Sequence, residues 1–250
     1  SLLDEGAYGV IFHLAGPAYV PLSVKNPADD FKIALVSSFH LLEGIRENKW
    51  PGVLIYPSSA AVYGNPQKLP IDEEGPVNPI SPYGVSKLAA ENYCITFAKT
   101  FGLETVSLRY FNVFGPRQNP ESRYSTAIPA ILAKLLKNER PVAEWDGKQS
   151  RDFTYVANVV QANLRACVVP KISGEVFNIA CGTTISVLDI IREANKVLGL
   201  KLKPEYGPKR PGDVRKTCAD ISKMKNVLGL KDIVGFEEGL RLTIGWFKNK

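Results

Sequence analysis

Two short, continuous apolar runs and a third, β-rich run constrain this chain more than any other feature. The apolar runs are Val10-Ile11-Phe12-His13-Leu14-Ala15-Gly16 and Val53 to Tyr56, and the β-rich run is Thr105 to Tyr110. The first two do not alternate as a half-exposed strand would. Such runs fit strands buried on both faces, the pattern of a parallel sheet. The first ends in a small-residue turn, and Pro57-Ser58-Ser59 terminates the second. Parallel strands cannot be joined by hairpins, so the chain between them must cross over, usually as a helix. The intervening stretches comply. Asn26-Pro27 offers a cap residue and a proline at the first helical position, opening a helix to about Asn48. Residues 65–82 are rich in Pro, Asn and Gly and read as a loop. Ser81-Pro82 then opens a long helix through Tyr83 and Lys87 to about Thr100, stopped by Gly102. Strand and helix alternate over the first 115 residues, which argues for an α/β parallel sheet wrapped by helices.

After Gly115-Pro116 the pattern loosens. Helices are expected around Ala127 to Lys137, after Asn158, and from Ser186, where Asp189 three residues on completes a capping pair. Short strands are expected near Val142 and at Val176 to Ile179. Pro204 to Gly212 reads as a Pro/Gly/basic loop, and two short helical stretches end the chain. The division is therefore 1–115 as a sheet domain and 116–250 as mainly a smaller cap region, with segments returning to the sheet.

The 250 residues are 45% hydrophobic and 22% charged, which is globular composition. No apolar run approaches the roughly 20 residues of a membrane span. Cys94, Cys167, Cys181 and Cys218 are widely spaced, with no CxxC pair, so they read as free thiols in a reducing, cytoplasmic compartment and not as a zinc site. The net charge of +6 is spread over scattered Lys and Arg. It suits a small anionic ligand such as a diphosphate better than a nucleic acid.

Tyr83 and Lys87 lie four apart and share a helix face. An ammonium beside a phenol favours the phenolate and lowers its pKa, giving an acid/base usable near neutral pH. The spacing alone is weak: with ten tyrosines and twenty lysines in the chain, chance supplies about one such pair. Position adds more. Ser59 closes a strand at the carboxyl end of the sheet, where open α/β folds bind ligands. There it could share a proton with Tyr83 or merely cap a turn.

Longer motifs are more specific. Ser58-Ser59-Ala60-Ala61-Val62-Tyr63-Gly64, Ser81-Pro82-Tyr83-Gly84-Val85-Ser86-Lys87 and Arg109-Tyr110-Phe111-Asn112-Val113-Phe114-Gly115-Pro116-Arg117 come first. Gly147 to Val156, Phe177-Asn178-Ile179-Ala180 and Arg210-Pro211-Gly212-Asp213-Val214-Arg215 follow in order. Together they resemble the extended short-chain dehydrogenase/reductase family, in its nucleotide-sugar epimerase and dehydratase branch, over essentially the whole chain. The resemblance implies a Rossmann-like, doubly wound parallel sheet, bound NAD and a UDP-sugar substrate. It implies that Ser59 and Tyr83 exchange the proton of a sugar hydroxyl, and that Lys87 holds the nicotinamide ribose and tunes Tyr83. Leu14, Ala15 and Gly16 would line the cofactor with backbone, and Tyr110 would lie against its nicotinamide end. Asn112, Arg151, Arg210 and Asp213 would hold the nucleotide diphosphate and ribose, a task for which a guanidinium fork suits phosphate oxygens. The helices carrying Ala28 to Asn48 and Tyr83 to Thr100 resemble a dimer-forming pair, so a homodimer is expected.

Where the family's dehydratases carry an Asp-Glu pair, and its decarboxylases a Glu, this chain has Ala60 and Ala61. A methyl group is neither acid nor base, so 4-epimerisation through a transient 4-keto sugar is the implied reaction. Thr217, four beyond Asp213, is small where related epimerases use size to admit or exclude an N-acetyl group, so UDP-N-acetylhexosamines are expected to fit alongside UDP-glucose and UDP-galactose. The competing readings are another nucleotide-sugar oxidoreductase or uronate epimerase of the family, and a non-catalytic sugar-nucleotide binder. The last gains from a departure: no glycine-rich strand-turn-helix for the pyrophosphate is present, and Gly6-Ala7-Tyr8-Gly9 precedes a strand instead of following one. By the resemblance, the chain opens roughly 60 residues into the usual domain. The absence of an initiator Met favours a piece of a longer chain, whose N-terminal strands would be missing. Val10 to Leu14 is then expected to form an exposed edge, and NAD binding by these residues alone to be weak or absent. Smaller departures are Ala34 in place of an Asn that supports the active-site helix, Pro17 and Ala18 in place of polar residues, and Trp145 in place of a Gly.

Overall fold

The structure, a computed structural model, describes residues 8–16, 18–119, 127–209 and 214–249. The first segment gives β1 (Val10–Phe12), α1 (Val20–Lys25), α2 (Pro27–Asp30), a π-helical stretch (Phe31–Val36) and α3 (Ser37–Glu47). β2 (Val53–Ser59), a 3-10 turn (Ala60–Tyr63), α4 (Pro82–Phe101), β3 (Glu104–Tyr110) and β4 (Asn112–Phe114) follow. Beyond them lie α5 (Ala127–Leu136), β5 (Val142–Glu144), β6 (Ser150–Arg151), β7 (Phe153–Tyr155), α6 (Val156–Ala166) and β8 (Glu175–Ile179). The chain closes with β9 (Ile185–Ser186), α7 (Val187–Leu198), β10 (Glu205–Gly207), α8 (Ser222–Asn226) and α9 (Phe236–Lys248).

The main sheet is parallel, in the order β1-β2-β3-β8. Side chains alternate across it. Leu54 and Tyr56 face α3 and α4, packing with Leu42, Ile45, Ala90, Cys94 and Phe97. Ile55, Val106, Leu108 and Phe177 face α6 and α8, packing with Val159, Ala162 and Met224. Helices thus cover both faces of the parallel sheet, the doubly wound arrangement that the resemblance implied. A second core joins Phe114, Ile128, Leu132, Ile190 and Leu240 beneath α5, α7 and α9. Two-stranded pairs β4–β7, β5–β10 and β6–β9 connect it to the sheet.

Several sequence expectations are corrected. β1 is parallel but not buried on both faces: it borders the described sheet as the expected exposed edge, with Phe12 40% and Leu14 66% exposed. The helix expected from Asn26 is broken in character, with a π-helical middle, and the Asn26 side chain makes no cap bond. α1 is an element that the sequence pattern does not announce. The Pro/Gly/basic loop contains β10, which pairs with β5. Pro57 does not end β2, which continues through Ser59. The reason is geometric. Val53 donates to Gly9 O and Ile55 accepts from His13 N, so odd-numbered residues of β2 turn their backbone groups toward β1. Pro57 lies beyond the last paired residue of β1. Its missing N–H is therefore not wanted, and its carbonyl is left over by the sheet.

α4 is set by its ends and by one buried ion pair. Ser81 accepts from Gly84 N at 3.1 Å, Pro82 opens the first turn, and Gly102 closes the helix in the left-handed region at φ 71°. Within it, Glu91 is fully buried. Arg109 of β3 forks onto it, with Nη2–Oε1 2.6 Å and Nε–Oε2 3.0 Å, and Ser58 Oγ of β2 donates to Oε2 at 2.6 Å. Arg109 Nη1 also donates to Tyr63 Oη at 2.8 Å, and Tyr63 donates to Asn178 Oδ1 of β8 at 2.6 Å. One buried network therefore joins three strands, the 3-10 turn and α4. Removing one partner of such a pair strands the other charge in the core. Glu91→Gln is expected to lower unfolding free energy by about 3–5 kcal/mol, measured by urea denaturation.

Candidate active site

Tyr83, Lys87 and Glu91 sit at four-residue intervals on α4, so all three face β2. Gly84 permits the close approach. A Cβ there would stand 2.7 Å from Ala61 O and 2.9 Å from Pro79 Cβ. The first turn of α4 thus rests directly on the turn that follows Ser59. Ser59 Oγ accepts from Ala61 N at 3.2 Å, so the serine caps the turn. Its hydroxyl also lies near enough to the Tyr83 phenol to oppose the effect of burial on it. Tyr83 N donates to Ser23 Oγ of α1 at 3.1 Å.

Lys87 is 8% exposed. Its Nζ donates to the carbonyl of Pro57 at 2.7 Å and stands 5.0 Å from the Tyr56 ring centroid and 5.9 Å from that of Tyr83. Burial lowers its pKa to about 8, opposed by the charges of Asp30 and Cys94. Tyr83 departs from expectation. Burial pushes its pKa up, the Ser59 hydrogen bond pulls it down and Asp30 pushes it up again. The ammonium lies over the ring of Tyr83 and bonds to Pro57, so the simple picture of a lysine depressing a neighbouring phenol does not describe this arrangement. His13, just past β1, bonds through Nε2 to Ser38 Oγ at 3.0 Å. Burial and then the Lys87 charge lower its pKa.

Of the remaining expected residues, Asn112, Arg151 and Thr217 form a second group. β3 ends at Tyr110, in register with Ser59, and β4 begins at Asn112. Two residues therefore carry the chain from one group to the other. Tyr110 Oη accepts from Asn163 Nδ2 of α6 at 2.7 Å, so its hydroxyl is held by that helix. Asn112 N donates to Asp152 O at 3.1 Å. Arg151 is half-buried on β6, and Thr217 N donates to Ser150 O at 3.2 Å, which places Thr217 beside Arg151. Thr217 Oγ1 is buried without a hydrogen-bond partner among the described residues. Arg210 and Asp213 lie outside the described residues, as does Pro17. Leu14, Ala15 and Gly16 form an exposed turn beyond the carboxyl end of β1.

Sequence reasoning missed the residues that hold these groups. Asp152 is fully buried and accepts from Cys181 N, Gly182 N and Ala219 N, fixing the turn after β8 against the strand of Arg151. Asp30, Ser23 and Ser86 support α4. The signal for Glu91 is its place as a carboxylate one turn on along the Tyr83–Lys87 face, and that for Arg109 is a cation inside a β-rich run. Trp145 adopts φ 53°, which explains why a glycine suits that position. Its ring lies 4.3 Å from Lys209 Nζ and 4.4 Å from the Arg215 guanidinium, and Arg215 also forks onto Asp146.

Among the described residues, no group of three His, Cys, Asp or Glu could hold a metal, and no helix is long and apolar enough to cross a membrane. The profile of the NAD dependent epimerase/dehydratase family matches residues 1–180. A putative UDP-glucose 4-epimerase of Methanocaldococcus jannaschii is 36% identical over 240 residues, covering 96% of this chain and 77% of its own. The UDP-N-acetylglucosamine 4-epimerase of Methanobrevibacter ruminantium, solved with UDP-N-acetylmuramic acid, superposes with a TM-score of 0.93 at 35% identity, over 100% of this chain and 80% of that one. The Thermus thermophilus UDP-glucose 4-epimerase, solved with NAD, gives 0.88 at 29% identity, over 98% and 81%.

Proposed function

This chain belongs to the NAD dependent epimerase/dehydratase family, and from that premise we propose that it is an isomerase inverting C4 of a UDP-sugar through a 4-keto intermediate. The observation that carries the reading is the cluster of half-buried Ser59 with buried Tyr83 and Lys87 at the carboxyl end of the parallel sheet, flanked by the methyl groups of Ala60 and Ala61. Dehydration needs a second acid/base beside the hydroxyl residue, and these positions hold none.

The nicotinamide end of NAD fits what is present. Lys87 has three N–H bonds and one hydrogen-bond acceptor, Pro57 O, among the described residues. That leaves donors for a ribose diol, with Tyr83 beside it and the Leu14–Gly16 turn along the same edge. When bound, NAD supplies the acceptor and donor of the C4 hydride. The chain's own part is the proton. Tyr83 takes the proton of the 4-hydroxyl and later returns it, while Ser59 holds the shared oxygen. A cationic Lys87 holds the ribose diol more strongly than the neutral amine does, so turnover is expected to weaken as pH rises through the Lys87 value of about 8. Asn112 and Arg151 hold the nucleotide diphosphate with Arg210 and Asp213.

Thr217 suits an N-acetylated sugar as well as a plain hexose, because its side chain is small and its buried hydroxyl has no partner among the described residues. A homodimer is supported by large apolar side chains left outward on the helices: Phe31, Ile33, Val85, Tyr93 and Phe101 are all exposed. Light scattering is expected to give twice the chain mass, and a monomeric mass overturns this. The four thiols are unpaired, which fits a reducing, cytoplasmic setting. A disulfide in the native protein would count against it.

Tyr83→Phe is expected to lower kcat by about 10²–10⁴-fold while UDP-sugar affinity holds, measured by steady-state kinetics with added NAD and by calorimetry. Net consumption of NADH per product formed would instead identify a reductase. In a coupled assay both UDP-glucose and UDP-N-acetylglucosamine are expected to turn over. Turnover of UDP-glucose alone would remove the role given to Thr217.

A further inference from the structure

Lys87 is a buried cation whose direct hydrogen bond is to a neutral carbonyl. Its other neighbours are poor counter-charges. Tyr56 and Tyr83 present rings, Cys94 is a thiol whose pKa burial pushes up to about 12, and His13 is itself held neutral by burial and by Lys87. Glu91 lies one turn along α4 but is matched by the fork of Arg109 and by Ser58. A buried ammonium without a matching anion loses its proton readily.

A buried carboxylate stands nearby on α2. Asp30 is 3% exposed. Its Oδ2 accepts from Ser86 Oγ at 2.7 Å, a neutral partner, and its Oδ1 is buried with no hydrogen bond among the described residues. No cation bridges it among those residues, so its charge is not cancelled locally. Ser86 immediately precedes Lys87, so the tether brings Asp30 against the turn of α4 that bears the lysine. One turn earlier on the same docking surface, Ser23 holds Tyr83 N. The π-helical stretch that follows Asp30 contains Ala34, whose methyl group offers nothing to α4. α1 and α2 supply the support that Ala34 cannot.

We propose that Asp30 is the counter-charge of Lys87, a positioning residue that pins the first turns of α4 through Ser86 and stabilises the lysine as a cation. The role fits the separate finding that Asp30 raises the pKa of Lys87 against burial. It rests on the epimerase reading only for what Lys87 does in turnover. The charge relation itself belongs to the folded protein without substrate.

The test is the titration of Lys87, followed by the 13Cε resonance in lysine-labelled protein and assigned with Lys87→Arg. Asp30→Asn and Asp30→Ser are both neutral, so either alone decides if the other does not fold. Each is expected to move the Lys87 midpoint down from about 8 by about one pH unit. Asp30→Glu is expected to restore it, and Ser86→Ala, which keeps the charge, to leave it in place. An unchanged midpoint in the neutral variants overturns the proposal, as does a Ser86→Ala shift equal to theirs. In active enzyme, the alkaline limb of kcat is expected to follow the same downward shift in Asp30→Asn. A shifted Lys87 in a protein with no epimerase activity would instead fault the functional reading and leave the charge pair standing.

Discussion

The buried fork of Arg109 onto Glu91 is the interaction on which the site depends. Two ions in a core are costly unless every lone pair and proton is used, and here Ser58, Tyr63 and the Glu73 carbonyl complete the set. Because the three strands and α4 all contribute, the network fixes the rotation of the helix relative to the sheet. Glu91 is in phase with Tyr83 and Lys87, and Ser58 is next to Ser59. An ion pair more than a full turn from the chemistry thereby sets which way the phenol, the ammonium and the serine hydroxyl point.

Much of this is legible in the sequence, for identifiable reasons. Continuous apolar runs announce parallel strands, and Ser81-Pro82 with Gly102 bound α4 to within a residue. The motifs that single out Ser59, Tyr83 and Lys87 fall on the end of β2 and the first turns of α4, which the fold places side by side. What escapes are effects that depend on neighbours. Pro57 looks like a strand terminator until the register shows that its backbone faces past the end of β1. The sense of the Tyr83 shift cannot be read from a four-residue spacing, because burial outweighs a lysine directed elsewhere. Asp30 and Ser86 are ordinary polar residues until folding places them side by side, 56 positions apart. The short pairs β4–β7 and β6–β9 carry too few residues to show a period.

The charges around Lys87 illustrate how a site can be tuned without touching its reacting groups. Each surrounding group has a separate task. Pro57 provides a dipole, Tyr56 a π-face, His13 remains neutral and Asp30 supplies the net charge. Trp145 offers a parallel in the second group. An unfavourable backbone angle is held by a ring that engages two cations at once, one on each side of residues 210–213.

Pro57 has one more implication. A segment laid against β2 beyond the end of β1 would find no N–H at Pro57, and the carbonyl of that residue already accepts from Lys87. One rung of the ladder is therefore missing its donor and has its acceptor engaged. Extension of β1 along this side gains less there than at an ordinary residue, which favours leaving the notch beside the lysine to side chains and ligand.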